Sequence, residues 1–201
     1  MNNDFYILKY APDGAGAPFF FETDWLPELP EFHYPTENPK GLNHQYTVKA
    51  KIDFLDADYL PDQFLASQRF IELCHELSVD AICKKVKIVG LRGDMRGYYF
   101  FAPSERISLL DKDNSQFSLE VDKHTGRPAV SSEEDGEFPV YEVIDLFRVA
   151  PEVSSHLFFC RELRDVVCSE VFKRKFVQAG MTGGSFEAID DAFRYAPWED
   201  F

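Results

Sequence analysis

Two stretches of this chain share one pattern of apolar and polar positions. Phe64-Leu65-Ala66-Ser67-Gln68-Arg69-Phe70 and Val166-Val167-Cys168-Ser169-Glu170-Val171-Phe172 each run from an apolar, strand-like approach through a serine to a phenylalanine three positions on. The pattern predicts a strand, a serine N-cap and a helix. A helix start leaves backbone N–H groups unpaired, and a serine hydroxyl accepts from one of them. Glu170 adds a carboxylate in the first turn, where the helix dipole favours it. With Phe70 and Phe172 at the third position, neither copy is a full capping box. After Ser67, residues Phe70, Ile71, Leu73, Cys74 and Leu77 make one apolar stripe at helical spacing. Val171, Phe172, Phe176 and Val177 do so after Ser169, with Gly180 as a helix stop. Each helix leads into a β-like run, Ala81 to Val89 and Ser185 to Ile189. Ser67 and Ser169 are therefore expected to be structural caps. Chance similarity of short amphipathic segments is the competing explanation of the repeat.

Around these units the alternation is mostly β-like. Phe5 to Tyr10 reads as an opening strand and Tyr46 to Ile52 as another. Between them, 11–41 is rich in Pro and Gly, yet Phe19, Phe20, Phe21, Trp25 and Leu26 are too apolar for a disordered linker. The centre predicts strands at Gly97 to Phe101, Ile107 to Leu110, Phe117 to Val121 and Val140 to Val143. Asp122 to Gly126 predicts a turn, with Gly126 in a left-handed position, and Ser131 to Glu137 a polar, acidic loop. His156 to Cys160 and Val166 to Cys168 predict two strands joined by a turn at Arg161 to Asp165. One long helix over Cys160 to Gln178 fits the same periodicity. The expected fold is α+β with a mixed sheet, two related strand–helix–strand units flanking a central β-rich region. It would form a single domain over 1–201 or two packed lobes, about 1–96 and 97–201.

Composition narrows the function classes. The hydrophobic content is 45%, ordinary for a globular core, and no segment reaches the ~18 uninterrupted apolar residues of a membrane span. Met1-Asn2-Asn3-Asp4 lacks the basic and apolar character of a signal peptide. Cys74, Cys83, Cys160 and Cys168 form no CxxC pair, so reduced thiols in a cytoplasmic protein are expected. Thirty-five acidic against 21 basic side chains give a net charge of −14. Such a field repels nucleic acid and anionic membrane and speeds encounter with a basic protein, although solubility alone also accounts for acidity.

No catalytic pattern stands out. Cys74-His75 and Cys83 lack the paired spacing of a zinc site, so neither metal nor cofactor is expected. No G-x-S-x-G elbow is present, and Gly183-Gly184-Ser185 follows a helix instead of opening one. Arg92-Gly93-Asp94 reads as a turn. Asp111-Lys112-Asp113-Asn114-Ser115 lacks the glycine and terminal glutamate of a calcium loop.

Taken together, several motifs resemble the DUF1629-type immunity proteins of bacterial polymorphic toxin systems, the eleventh numbered immunity family. They are Phe5 to Tyr10, the approach Leu60-Pro61-Asp62-Gln63-Phe64-Leu65-Ala66-Ser67, Tyr98-Tyr99-Phe100 and Leu109-Leu110-Asp111 with Ser115. Further along come His156-Leu157-Phe158, Val167-Cys168-Ser169-Glu170, and Ala179-Gly180-Met181-Thr182-Gly183-Gly184-Ser185-Phe186. The acidic stretch around Glu133 has no counterpart in the family pattern. The resemblance implies a non-enzymatic protein that binds and neutralises a cognate secreted toxin by stoichiometric complex formation. Acidity then suits a basic toxin domain, such as a nuclease or another phosphate-handling toxin. Candidate partner-binding residues are Glu133, Glu134, Asp135, Glu137, Asp190 and Asp191, with Glu199-Asp200 behind them and Trp25, Tyr34 and Trp198 as candidate aromatic anchors. The alternatives are a regulatory binding module unrelated to toxins and an enzyme that reverses toxin damage.

Overall fold

The computed structural model describes residues 4–13, 16–19, 21–30, 41–91, 96–133 and 136–198. Along them run β1 (Phe5–Ala11), β2 (Thr23–Leu26), β3 (Gln45–Ala50), β4 (Tyr59–Leu60), β5 (Leu65–Ser67), α1 (Gln68–Glu76), β6 (Ala81–Val89), β7 (Tyr98–Pro103) and β8 (Arg106–Ile107). There follow β9 (Gln116–Leu119), β10 (Val130–Glu133), β11 (Gly136–Pro139), β12 (Tyr141–Leu146), β13 (Leu157–Cys160), β14 (Asp165–Ser169), α2 (Glu170–Gln178) and β15 (Gly183–Ala188). The fold is α+β. Two main sheets have the orders β2-β3-β6-β7-β5-β4 and β15-β1-β14-β13-β8, while β10-β11 and β12-β9 form two-stranded sheets of their own. Both main sheets are mixed: β3 runs parallel to β6 and β8 parallel to β13, and the other pairs are antiparallel.

Each main sheet is built around the same unit. A hairpin, β4–β5 or β13–β14, turns through four residues, the last left-handed: Phe64 at φ 50° and Arg164 at φ 53°. Its second strand ends in a serine that caps a nine-residue helix. Each helix closes on a left-handed residue, Ser78 or Gly180. The next N–H then reaches back into the last turn, Val79 to the Cys74 carbonyl at 2.9 Å and Met181 to the Phe176 carbonyl at 3.2 Å. The returning strands β6 and β15 do not pair with their own hairpins. A strand from elsewhere lies between, β7 in the first unit and β1 in the second, antiparallel to both neighbours. β7 follows its unit along the chain, whereas β1 precedes both units.

The helices meet in a core shared by the two units. Phe70 and Phe172, each third after its cap, touch edge to face with centroids 5.7 Å apart. Contact between equivalent residues is what a local two-fold relation produces. Tyr59, Phe101, Phe176, Leu8 and Leu157 also belong to this core, and each buried large apolar side chain contributes about 1.5–3 kcal/mol. Two further cores lie elsewhere, one around Tyr46, Val48 and Phe100, the other around Phe5, Leu109, Ile144 and Phe158. The sheets abut where the Asp58 N–H donates to the Thr182 carbonyl at 2.9 Å. Gly183 is required beside this contact: it has φ 86°, and a Cβ there would stand 2.4 Å from the Tyr59 carbonyl oxygen.

Some expectations change. Arg161 to Arg164 forms the hairpin turn, so the long helix from Cys160 does not exist. Within Ser131 to Glu137, the described residues belong to β10 and β11, paired from Val130 with Pro139 to Glu133 with Gly136, and not to a loop. The polar composition of this stretch carries no apolar alternation to announce strands. Within Ile107 to Leu110 only Ile107 belongs to a strand, because the chain leaves the sheet at Ser108 and Leu110 bridges to Val149. Arg92-Gly93-Asp94 spans residues that lie outside those described.

Candidate functional site

Three chain segments converge on a groove of about 820 Å³: the entry to β1, the stretch after β12, and the exit from β15. The Ile189 N–H donates to the Phe5 carbonyl at 2.9 Å and fixes the exit against the entry. Phe5, Phe147 and Ile189 are buried and anchor the three segments in the core. Asp4, Asp190 and Asp191 supply exposed carboxylates along the lining. The one basic residue among the described lining is Arg148, whose guanidinium is ion-paired to Asp191. Arg148 is held from behind, because its N–H donates to Ser115 Oγ at 3.0 Å and its carbonyl accepts from the Asp111 N–H at 2.7 Å. Asp190 accepts the Ala192 N–H on Oδ1 at 2.9 Å, which shapes the turn that presents it. Three carboxylates against one guanidinium leave the groove negative, suited to a cationic side chain or a basic protein surface.

Of the acids singled out in the sequence, Asp190 and Asp191 come together in this groove. Glu133 and Glu137 lie on the β10–β11 hairpin, with Glu137 exposed. Glu134, Asp135, Tyr34, Glu199 and Asp200 lie outside the described residues. Trp25 is half-buried and packs edge to face on Tyr46 and Phe100, at 5.5 and 6.1 Å, whereas Trp198 is 60% exposed. Asp4 and Arg148 had no local signal, since a lone charge beside a strand looks the same whether or not it lines a groove.

The two serines have near-identical settings. Ser67 (φ −72°, ψ 162°) accepts the Phe70 N–H on its Oγ at 3.2 Å, and Ser169 (φ −77°, ψ 161°) accepts the Phe172 N–H at 3.3 Å. Each also bonds a partner that precedes its hairpin. Ser67 donates its hydroxyl to Asp58 Oδ1 at 2.6 Å, and Ser169 Oγ lies 2.8 Å from His156 Nδ1. The Ser67 and Ser169 N–H groups bond the Asp58 and His156 carbonyls, so Asp58 and His156 are equivalent positions. A serine hydroxyl beside a histidine can act as a nucleophile, but here the oxygen already accepts a helix N–H and sits in the cap. The four thiols are unpaired. Burial pushes Cys83 up to about 11 and raises Cys74, Cys160 and Cys168 as well, so none is a thiolate at neutral pH.

Asp111 to Ser115 forms a turn in which Asp111 Oδ1 accepts from the Asp113 and Asn114 N–H groups at 3.2 and 3.3 Å. Among the described residues no three His, Cys, Asp or Glu side chains gather as a metal-ligand set. No described helix is long and apolar enough to cross a membrane.

Residues 22–191 match the model of the immunity protein family (Imm11), and the chain belongs to that family. No curated protein matches it.

Proposed function

We propose that this immunity-family chain neutralises a secreted toxin by holding it in a stoichiometric complex, with an acidic face laid over the toxin's active site or substrate-binding surface. The observation that carries the reading is the groove in which Asp4, Asp190 and Asp191 converge and the single guanidinium is already paired. A net charge of −14 extends that field over the molecule and favours encounter with a basic domain, of which a phosphate-handling toxin is the natural example. The serine hydroxyls are engaged as helix caps and the thiols are held neutral, which suits a binder better than a catalyst. Unpaired thiols suit a reducing compartment, and the cytoplasm is where a self-protecting inhibitor would meet the toxin.

Titrating the cognate toxin domain tests this. Its activity should fall linearly and vanish near about one equivalent of this protein, as a tight complex requires. Loss of activity at about a hundredth of an equivalent, developing with time, would mean turnover and overturn the stoichiometric reading.

A further inference from the structure

The internal repeat offers two equivalent hairpin turns, and among the described residues only one has its acid covered by another segment of the chain. In the second unit Glu162 occupies the second position of the turn 161–164 and is 1% exposed. The chain leaving β8 lies over it. Ser108 Oγ donates to Glu162 Oε1, the Leu109 N–H donates to Oε2 at 3.0 Å, and the Leu109 side chain is fully buried. In the first unit Asp62 holds the equivalent place: Leu60 pairs with Leu65 as Cys160 pairs with Asp165, and Phe64 repeats the left-handed Arg164. There Asp62 is exposed, and half-buried Gln63 stands in place of buried Leu163.

Among the described residues no equivalent segment lies over this turn, because the chain leaving β1, the counterpart of β7, folds back. The Asp13 N–H bonds the Ala17 carbonyl at 2.9 Å and the Ala17 N–H bonds Asp13 Oδ1 at 2.8 Å. An open groove of about 380 Å³ results, lined by Tyr10, Pro18, Phe19, Phe21, Leu60 and Asp62, with Phe19 65% exposed.

We propose that this groove receives an extended segment of the partner toxin in which an apolar side chain fills the cleft and a neighbouring Lys or Arg pairs with Asp62. The inference rests on the toxin-binding reading above and assigns its apolar anchor. The second unit shows what such a turn accepts: an apolar side chain next to donors aimed at the carboxylate. At Glu162 these donors are neutral, whereas exposed Asp62 lies in a negative setting that favours a cation. Burial pushes the Tyr10 hydroxyl up to about 12, and the negative charges of Asp13 and Asp62 add to it, which marks the sign of the field inside the groove. Glu22 at the rim is paired with Lys51 at 2.5 Å, so that lysine contributes no net positive charge. Recognition runs through side chains. Where the Arg161 N–H bonds the Ile107 carbonyl at 3.0 Å, the first unit has Pro61, which lacks the donor.

The test measures the dissociation constant of the cognate toxin domain for the wild type, Phe19→Ala and Asp62→Lys, with thermal midpoints as a check on folding. Both side chains are exposed, so the midpoints should hold, while each substitution should weaken binding about tenfold or more. The Asp62→Lys loss should shrink at high salt and the Phe19→Ala loss should persist. Unchanged affinity in both variants, with a wild type that binds, would overturn the groove and leave the toxin-binding reading standing. If the wild type does not bind that toxin, a peptide copying Arg106 to Leu110 decides the groove separately. Chemical-shift changes confined to Tyr10, Phe19, Leu60 and Gln63 would support it, and their absence at millimolar peptide would refute it.

Discussion

Replacing Asp58 with alanine tests how the two units are joined. The carboxylate is fully buried. Oδ1 accepts the Ser67 hydroxyl at 2.6 Å and Arg96 Nη1 at 3.1 Å, and Oδ2 accepts the Thr182 N–H at 3.0 Å and lies 3.5 Å from Arg69 Nη1. One side chain therefore touches the cap of α1, the chain that follows α2, and two guanidinium groups. Hydrogen bonds to a charged group contribute about 1.5–3 kcal/mol each, and removing one partner of a buried ion pair costs about 3–5 kcal/mol. The arginine side chains are 31% and 39% exposed, so water reaches them when the carboxylate goes. That places Asp58→Ala near the lower end, about 3–4 kcal/mol, a large part of the ~5–15 kcal/mol that holds a domain folded. Asp58→Asn should cost less, about 2 kcal/mol, because its oxygen can still accept from Ser67 while its amide opposes an N–H donor. Guanidinium chloride unfolding measures both, with an unchanged m-value as the check on two-state behaviour. A double-mutant cycle with Ser67→Ala should give a coupling of about 1 kcal/mol or more, since the residues share a hydrogen bond. A loss below about 1 kcal/mol for Asp58→Ala, or strict additivity with Ser67→Ala, would refute the idea that this carboxylate ties the units together.

Three further outcomes are expected. Ser169→Ala should cost about 0.5–2 kcal/mol in chemical denaturation and Ser67→Ala more, because only Ser67 also serves a buried carboxylate; equal losses would contradict this. Asp165 is held up to about 6, chiefly by burial, against an unfolded value near about 3.9. Its favourable contribution is thus complete below about pH 4 and lost as pH rises through about 6, so Asp165→Asn should gain on the wild type across that window by up to about 3 kcal/mol, less where solvent screens it. A pH-independent difference in unfolding free energy would dismiss that account. Asp190→Lys should slow association with the toxin at low salt more than Glu137→Lys does, with both effects fading at high salt; the reverse order in stopped-flow traces would shift the steering surface to the β10–β11 hairpin.

What the sequence made legible follows the range of each interaction. Ser67 and Ser169 announce themselves because a cap is decided within four residues, as the bonds to the Phe70 and Phe172 N–H groups show. The partners Asp58 and His156 were silent, since which carboxylate or imidazole reaches a hydroxyl depends on the hairpin closing first. Strand existence was largely readable, but the insertion of β1 between β14 and β15 was not. Alternation reports a buried face, not a neighbour. Charge at Asp190 and Asp191 could be seen, and the groove that gathers them with Asp4 could not.

The two turns are the sharpest case. Pro61-Asp62-Gln63-Phe64 and Arg161-Glu162-Leu163-Arg164 each place an acid second in a four-residue turn, and local physics treats the carboxylates alike. Glu162 tolerates burial because Ser108, 54 residues earlier in the chain, and the Leu109 N–H supply the hydrogen bonds that water would otherwise make. Among the described residues Asp62 has no such cover, because the hydrogen bonds between Asp13 and Ala17 hold the chain leaving β1 away. The equivalent acid is therefore a core residue in one unit and an exposed one in the other. The difference lies in a remote segment, so no window around either turn could have revealed it.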